Sequence, residues 1–218
     1  LLRGRGQDFD VLAGLTLDTR AASAALRAGE IDRFEALIAR TRTSGGRDVT
    51  PRLRWDGAAW RVGSRDTLVF TTLWRNVEAV RAFADARGGL ERVRGHGLIA
   101  FHPALAQGRL GPLALPPTTP ADNAYYSIAA DALLALPDHD GAGVPLAAHP
   151  GVIAHELFHR LNFHITFSGP GFDAWRMRFV ADDDDRETAR SVALWRGTSE
   201  GLADTFAVGF TEDPAYLD

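Results

Sequence analysis

Three titratable side chains lie within five positions of the apolar segment GVIAHELFHRLNF, residues 151–163. On an α-helix, residues four apart share one face, so His155 and His159 point the same way about one turn apart. That spacing allows two imidazoles to bind one tetrahedral zinc ion. Glu156 lies about 100° around the helix from His155, too far to be the next ligand but within reach of a water on the metal. A carboxylate there can take a proton from that water and pass it to a leaving amine.

A catalytic zinc ion also needs a third protein ligand, with its fourth position left for water. The segment TSEGLADTF, residues 198–206, offers one, because Glu200 and Asp204 are four apart on a predicted helix. Glu200 is the candidate ligand, and Asp204 is placed to accept a hydrogen bond from the far nitrogen of a bound histidine. The alternative is an accidental motif in a metal-free domain, with the histidines on an amphipathic helix and Glu200 an exposed acid.

Composition excludes several other kinds of chemistry. The 218-residue chain has no cysteine, which excludes a thiol nucleophile, a cysteine-based zinc site and a disulfide. Its 24 basic residues are all arginines, so neither a Schiff-base lysine nor a phosphate-loop lysine is present. A net charge of −4 with scattered arginines argues against a nucleic-acid surface. No apolar run is long enough to span a membrane.

Sequence periodicity predicts the elements that position these residues. Apolar positions at helical spacing predict a long helix over residues 65–89, ended by its two glycines. Residues 96–103 predict a buried strand, and residues 52–62 predict a hairpin at an Asp-Gly turn. Residues 124–136 are compatible with either a strand or a helix. After the histidine helix, residues 181–197 predict an acid-led helix that ends at its final glycine.

The paired motifs HELFH and EGLAD resemble those of the gluzincin metallopeptidases, the thermolysin and fungalysin group. In that group His-Glu-x-x-His precedes Glu-x-x-x-Asp on a second helix. Upstream, NAYY (residues 123–126) and DHDG (residues 138–141) come before the histidine helix in the order that thermolysin shows. The likeness covers roughly residues 65–210. It implies roles for seven residues: zinc ligands His155, His159 and Glu200, the base Glu156, the histidine-orienting Asp204, and Asn123 and Ala124 on an edge strand that pairs with a peptide backbone.

The predicted architecture is α+β and zincin-like. It has a twisted sheet ending in an edge strand near residues 124–130, an active-site helix along the cleft floor, and a mainly helical C-terminal lobe. The predicted boundaries are an N-terminal helical and linker region at 1–50, the N-terminal lobe with the zinc helix at 51–165, and the start of the helical lobe at 166–218. That last lobe is expected to be truncated.

The expected function is a zinc-dependent endopeptidase that acts on peptides or proteins, secreted or in the cell envelope by resemblance only. Two departures from the family pattern support an alternative. The segment between His159 and Glu200 contains no tyrosine, whereas thermolysin has one there to polarise the substrate carbonyl. The family's later histidine and arginine would fall beyond residue 218. The alternative is therefore a non-catalytic zinc-binding domain or an inactive processed fragment, with a missing C-terminal segment or pro-segment.

Calcium is a second candidate cofactor, since related peptidases often bind it. Asp138, Asp140 and the run Asp182–Asp185 offer the oxygen ligands that calcium prefers. A solvated loop and a helix N-terminus explain the same acids without an ion.

Overall fold

The described part of the chain has a mixed α/β structure. The computed structural model describes residues 9–13, 16–17, 24–25, 28, 30, 33, 36, 47–48, 51–88, 97–101, 104–105, 124–127, 132–136, 145–166 and 186–216. The strands are β1 (Phe9–Ala13), β2 (Thr16–Leu17), β3 (Arg47–Asp48), β4 (Leu53–Trp55), β5 (Trp60–Val62), β6 (Gly97–Phe101), β7 (Ala104–Leu105), β8 (Ala124–Ser127) and β9 (Ala132–Ala135). Three long helices accompany them: α1 (Arg65–Asp85), α2 (Pro150–Thr166) and α3 (Arg186–Thr211).

Five of these strands form one sheet, in the order β3-β1-β6-β9-β8. The three inner strands β1, β6 and β9 are parallel, and the outer strands β3 and β8 are antiparallel to their neighbours. The central strand β6 is buried along its whole length, as expected when both faces of a parallel ladder are covered. Within the described residues β8 ends the sheet, which agrees with the edge strand predicted near residues 124–130. Residues 124–136 therefore contain two strands rather than a helix.

The helix α1 packs one apolar stripe into the main core. Ser64 caps its first turn by accepting the N–H of Thr67 at 3.1 Å. Residues at helical spacing, including Val69, Leu73 and Val77, are almost fully buried. The helix ends at Asp85, and Gly88 then takes a φ of +70°, which a glycine adopts without steric cost. The predicted helix over residues 65–89 is thus confirmed, with an end a few residues earlier.

The helix α2 contains the histidine motif, and the helix face opposite the two histidines is buried in the same core. Val152, Ile153 and Leu157 pack there with residues of α1 and the sheet. A short 3₁₀ turn at Leu146–Ala148 leads into the helix, and Asn76 of α1 donates to the Ala148 carbonyl at 2.8 Å. The start of α2 is therefore fixed to α1 as well as to the sheet.

The helix α3 runs past the glycine that was predicted to end it. It continues through Gly197 to Thr211, so the prediction of a helix end at residue 197 was wrong. A glycine inside a helix costs only about 1 kcal/mol relative to alanine, and tertiary packing offsets that. Ala203 and Ala207 are fully buried, and α3 packs against α2 more extensively than any other pair of described elements. The Phe206 ring adds contacts to Phe158 on α2, at 5.1 Å between ring centroids, and to α1.

The N-terminal segment contributes strands to the sheet that the sequence did not predict. Residues 1–50 were expected to form a helical and linker region, yet β1 and β3 both belong to the five-stranded sheet. The ring of Phe9 lies against Gly97, where a Cβ atom would be only 2.4 Å from it. The Arg160 guanidinium of α2 lies over the same ring at 5.4 Å. The predicted domain boundaries at residues 50 and 165 stay predictions.

The predicted hairpin is present, with β4 and β5 paired across the turn at Asp56. Among the described residues, no helix is both long enough and apolar enough to span a membrane.

Candidate metal centre

Three candidate ligand atoms converge between α2 and α3. His155 Nε2 lies 3.0 Å from His159 Nε2 and 3.1 Å from Glu200 Oε2. His159 Nε2 lies 3.4 Å from the same Glu200 oxygen. Within the described residues this is the group of histidine and acidic side chains that can hold a metal ion. The two histidines come from one face of α2, and Glu200 comes from α3, which lies alongside.

The separations match the coordination shell of a small divalent ion. A tetrahedral zinc ion with bonds of about 2.0–2.1 Å holds its ligand atoms about 3.3–3.4 Å apart. The observed triangle has edges of 3.0, 3.1 and 3.4 Å, so the shift needed to admit an ion is a few tenths of an ångström on two edges. The three residues would occupy three of the four coordination positions of a tetrahedral ion, and the fourth position would point away from the triangle.

The far nitrogens of both histidines are held by α3. His155 Nδ1 lies 2.9 Å from Asp204 Oδ1, the contact that the four-residue spacing from Glu200 predicted. His159 Nδ1 lies 3.0 Å from Ser199 Oγ, which also accepts a hydrogen bond from Asn162 Nδ2 at 3.0 Å. Such partners fix the ring orientation and tautomer of metal-binding histidines. Both imidazoles therefore present Nε2 to the same point.

The hydrogen-bond partners of the triangle are compatible with a bound cation. A carboxylate oxygen can only accept, so a neutral His155 ring whose Nδ1 donates to Asp204 would turn the lone pair of Nε2 toward the ion. Nε2 lies 3.1 Å from a carboxylate oxygen of Glu200, and a shared cation between these two atoms would be attracted to both. Burial lowers the pKa of His159, which keeps its ring in the neutral form that metals bind.

Glu156 lies beside the triangle and is oriented by the edge strand. Its Oε2 accepts the backbone N–H of Tyr126 in β8 at 2.7 Å. Burial raises the pKa of Glu156 to about 8, against the lowering effect of the Tyr126 N–H, and the Glu200 carboxylate adds to the rise. A divalent cation in the triangle would lower this pKa again, because it favours the ionised carboxylate. The arrangement gives one carboxyl group that can exchange a proton near neutral pH.

The site is buried on the α2 side and open on the α3 side. The side chains of His155 and His159 are about 15% exposed, whereas those of Glu200 and Asp204 are 60% and 55% exposed. The side of the triangle formed by α3 is therefore the side open to solvent, and the imidazoles lie mostly buried.

Two contributors to the site were not predicted from the sequence. Ser199 directly precedes Glu200, but no spacing rule marks a serine as the partner of a histidine 40 residues away. Tyr216 follows α3 in the turn at residues 214–216, and its hydroxyl donates to Asp204 Oδ1 at 2.9 Å. The same hydroxyl lies 3.3 Å from Nδ1 of His155. Burial, reinforced by the Asp204 carboxylate, raises the Tyr216 pKa, so the hydroxyl keeps its proton as a donor.

The remaining predicted site residues lie either on the edge strand or outside the described residues. Ala124 begins β8 and is buried at the edge of the sheet, on the strand that contacts α2. Asn123 lies outside the described residues. The calcium candidates Asp138, Asp140 and Asp182–Asp185 also lie outside them.

Comparisons of this chain with protein-family models, with curated proteins and with solved structures find no match.

Proposed function

We propose that this protein is a zinc-dependent endopeptidase of the gluzincin type, built on a zincin-like fold. The observation that carries the proposal is the convergence of His155 Nε2, His159 Nε2 and Glu200 Oε2 within 3.4 Å of one another. Two imidazoles and one carboxylate, with a position left for water, form a ligand set that catalytic zinc uses. The adjacent Glu156 supports hydrolysis, because a structural zinc site has no use for a proton-exchanging carboxyl group.

A zinc ion held by these three residues would supply a Lewis acid that polarises the substrate carbonyl and makes a water more acidic. Glu156 would act as the general base and then the general acid. Its Oε2 is held by the N–H of Tyr126, so Oε1 is the atom that takes the proton from the attacking water. The same atom would then deliver that proton to the leaving amine. Asp204 and Ser199 would hold the imidazoles in place throughout.

Substrate pairing is proposed along β8. An edge strand presents backbone donors and acceptors to an extended peptide, and β8 lies at the end of the described sheet beside α2. The resemblance to the gluzincins assigns this pairing to Asn123 and Ala124. Ala124 begins β8, two residues before Tyr126, whose N–H is bound to Glu156. A secreted or envelope location, expected from the resemblance, stays a prediction.

Metal content and peptide cleavage together test the proposal. We expect purified protein to contain about one zinc per chain and to cleave an unfolded protein such as casein, with both properties lost after chelation. Glu156→Gln should retain zinc and lose about 10²–10⁴ in rate, because the amide keeps an acceptor for the Tyr126 N–H but cannot exchange the proton. Glu78→Gln on α1 is the matched control and should leave both properties unchanged.

Each other outcome has a distinct meaning. Zinc in both proteins without cleavage in either would support the alternative, a non-catalytic zinc-binding domain or an inactive fragment. Iron or another ion in place of zinc would contradict the zinc assignment, since two histidines and one carboxylate also form the ligand set of iron oxygenases. Absence of any bound metal under saturating zinc would reject the centre itself.

A further inference from the structure

We propose that Tyr216 is a positioning residue of this metal centre, which holds Asp204 against His155 through its hydroxyl group. The proposal rests on the metal centre of the proposed function and adds a residue from outside the two motif helices. Its basis is a three-atom cluster. Asp204 Oδ1 lies 2.9 Å from both the Tyr216 hydroxyl and His155 Nδ1, and these two lie 3.3 Å apart.

The position of the hydroxyl shows that it acts through other residues. It lies beside Nδ1 of His155, whereas Nε2 on the other side of the ring faces the metal position. Tyr216 therefore reaches the ion only by way of Asp204 and the imidazole. It is not placed to donate to a substrate carbonyl on the metal side of that ring, so it does not replace the tyrosine that thermolysin has between its ligand helices.

Asp204 is a side chain that benefits from a second contact. It is 55% exposed, and an exposed carboxylate paired with a histidine contributes little by itself, because water and alternative rotamers compete. The Tyr216 residue is only 6% exposed, so its hydroxyl is a fixed donor that restricts Asp204 to the rotamer facing His155. By donating to Asp204, the hydroxyl also withdraws charge from the carboxylate and so weakens the hydrogen bond between Asp204 and Nδ1 of His155. Because Asp204 is so exposed, we expect the restriction of its rotamer to outweigh this weakening.

The backbone conformation of the residues that follow α3 places Tyr216 beside the site. Glu212 takes a φ of 57°, in the left-handed region, and its N–H closes the last turn on the carbonyl of Val208 at 2.8 Å. Asp213 Oδ1 then accepts the N–H of Ala215 at 3.0 Å, which turns the chain back toward α2. There the Tyr216 ring covers Gly151, so closely that a Cβ at residue 151 would lie 2.1 Å from Cδ2 of the ring.

Zinc affinity of Tyr216→Phe, measured by competition with a chromophoric chelator, tests the proposal. The variant keeps the ring and loses the hydroxyl, and we expect about 3–10-fold weaker zinc binding. This is below the about 10–100-fold cost of removing a direct partner of a ligand, because Tyr216 acts through Asp204. The visible spectrum of the cobalt-substituted protein should change as well, because the ligand geometry relaxes. Tyr125→Phe is the matched control: the Tyr125 hydroxyl is buried and has no hydrogen-bond partner among the described residues, and its side chain packs against a separate apolar cluster that includes Leu98 and Leu134. It should bind zinc like the wild type.

A double-mutant cycle separates positioning from a general packing role. In an Asp204→Ala background, Tyr216→Phe should cause no further loss of zinc affinity, because its route to the metal is gone. Equal losses in both backgrounds, or an unchanged affinity in the single variant, would overturn the proposal for Tyr216. If the wild type binds no zinc, the proposed function fails instead. A wild type that binds zinc and cleaves peptides, with Tyr216→Phe unaltered, refutes the role of Tyr216 alone.

Discussion

The substitution Gly151→Ala probes the contact between the start of α2 and the turn that follows α3. A methyl group at residue 151 would lie 2.1, 2.7 and 3.0 Å from Cδ2, Cγ and Cβ of Tyr216. Ordinary contact starts at 3.4 Å, so the tyrosine ring has to move by about 1.3 Å at its nearest atom. Its hydroxyl is 2.9 Å from Asp204 Oδ1, and a comparable shift away takes it beyond hydrogen-bond range.

These displacements give the size of the expected effect. Forcing an extra methyl group into a packed contact costs about 1–3 kcal/mol. Loss of the hydrogen bond to Asp204 costs about 0.5–1.5 kcal/mol, because water can replace the donor at this half-exposed carboxylate. The better helix propensity of alanine offsets up to about 1 kcal/mol. We therefore expect Gly151→Ala to lower the free energy of unfolding by about 0.5–4.5 kcal/mol, measured by urea denaturation of the metal-free protein.

The controls for this substitution come from the same chain. Gly197→Ala places a methyl group on α3 where, apart from the backbone of the helix itself, no atom of the described residues lies within 4 Å, so it should raise the free energy of unfolding by up to about 1 kcal/mol. In a Tyr216→Ala background, Gly151→Ala should no longer lower the free energy of unfolding, because the ring that the new methyl group would overlap is absent. The reasoning would be refuted if Gly151→Ala were as stable as Gly197→Ala, or equally destabilising with and without the ring.

Three further expectations follow from single residues. Glu212→Gly should raise the free energy of unfolding by about 0.5–1 kcal/mol in urea denaturation, because glycine adopts the φ of 57° without steric strain; a loss of stability would contradict this. Ser199→Ala should weaken zinc binding about 10-fold in the chelator competition, since it removes the partner of His159 Nδ1, and an unchanged affinity would contradict this role of Ser199. Hydrogen bonds, of which the one from the N–H of Ala59 has the largest effect, lower the pKa of Asp56 below its ordinary 3.8 in the folded protein. The stability that this carboxylate gives the hairpin is therefore fully present above pH 3.8, and it is lost as the pH falls through the lower pKa of the folded state. NMR titration of the Asp56 carboxyl should show the lowered pKa, and a value at or above 3.8 would contradict it.

The parts of the site that sequence predicted are those set by local periodicity. A spacing of four residues on a helix determines which side chains share a face, so the convergence of His155 with His159, and of Glu200 with Asp204, needed only the two helices to pack together. Ser199 and Tyr216 carry no such signal. Their roles depend on the angle between α2 and α3 and on a left-handed residue after α3, which are tertiary features.

The fold was predictable to a similar extent. Long apolar stripes located α1 and α2, and the uninterrupted apolar run at residues 97–101 located the central strand. The strand β1 is five residues long and stands in a glycine- and arginine-rich segment, so its pattern was too short to outweigh the helical spacing nearby. The helix end predicted at Gly197 failed because burial of Ala203 and Ala207 against α2 stabilises α3 beyond its own propensity.

The glycines inside α3 have a consequence for how the site assembles. Gly197, Gly201 and Gly209 lie within the helix, and each lowers its intrinsic stability by about 1 kcal/mol relative to alanine. The helix that provides Glu200, Ser199 and Asp204 therefore depends on docking against α2 to stay ordered. A bound ion would stabilise the packing of α2 against α3, and part of its binding free energy would offset the cost of ordering α3. Amide hydrogens along α3 should then exchange faster without metal, and zinc affinity can be tuned from helix positions that touch neither the ion nor the substrate.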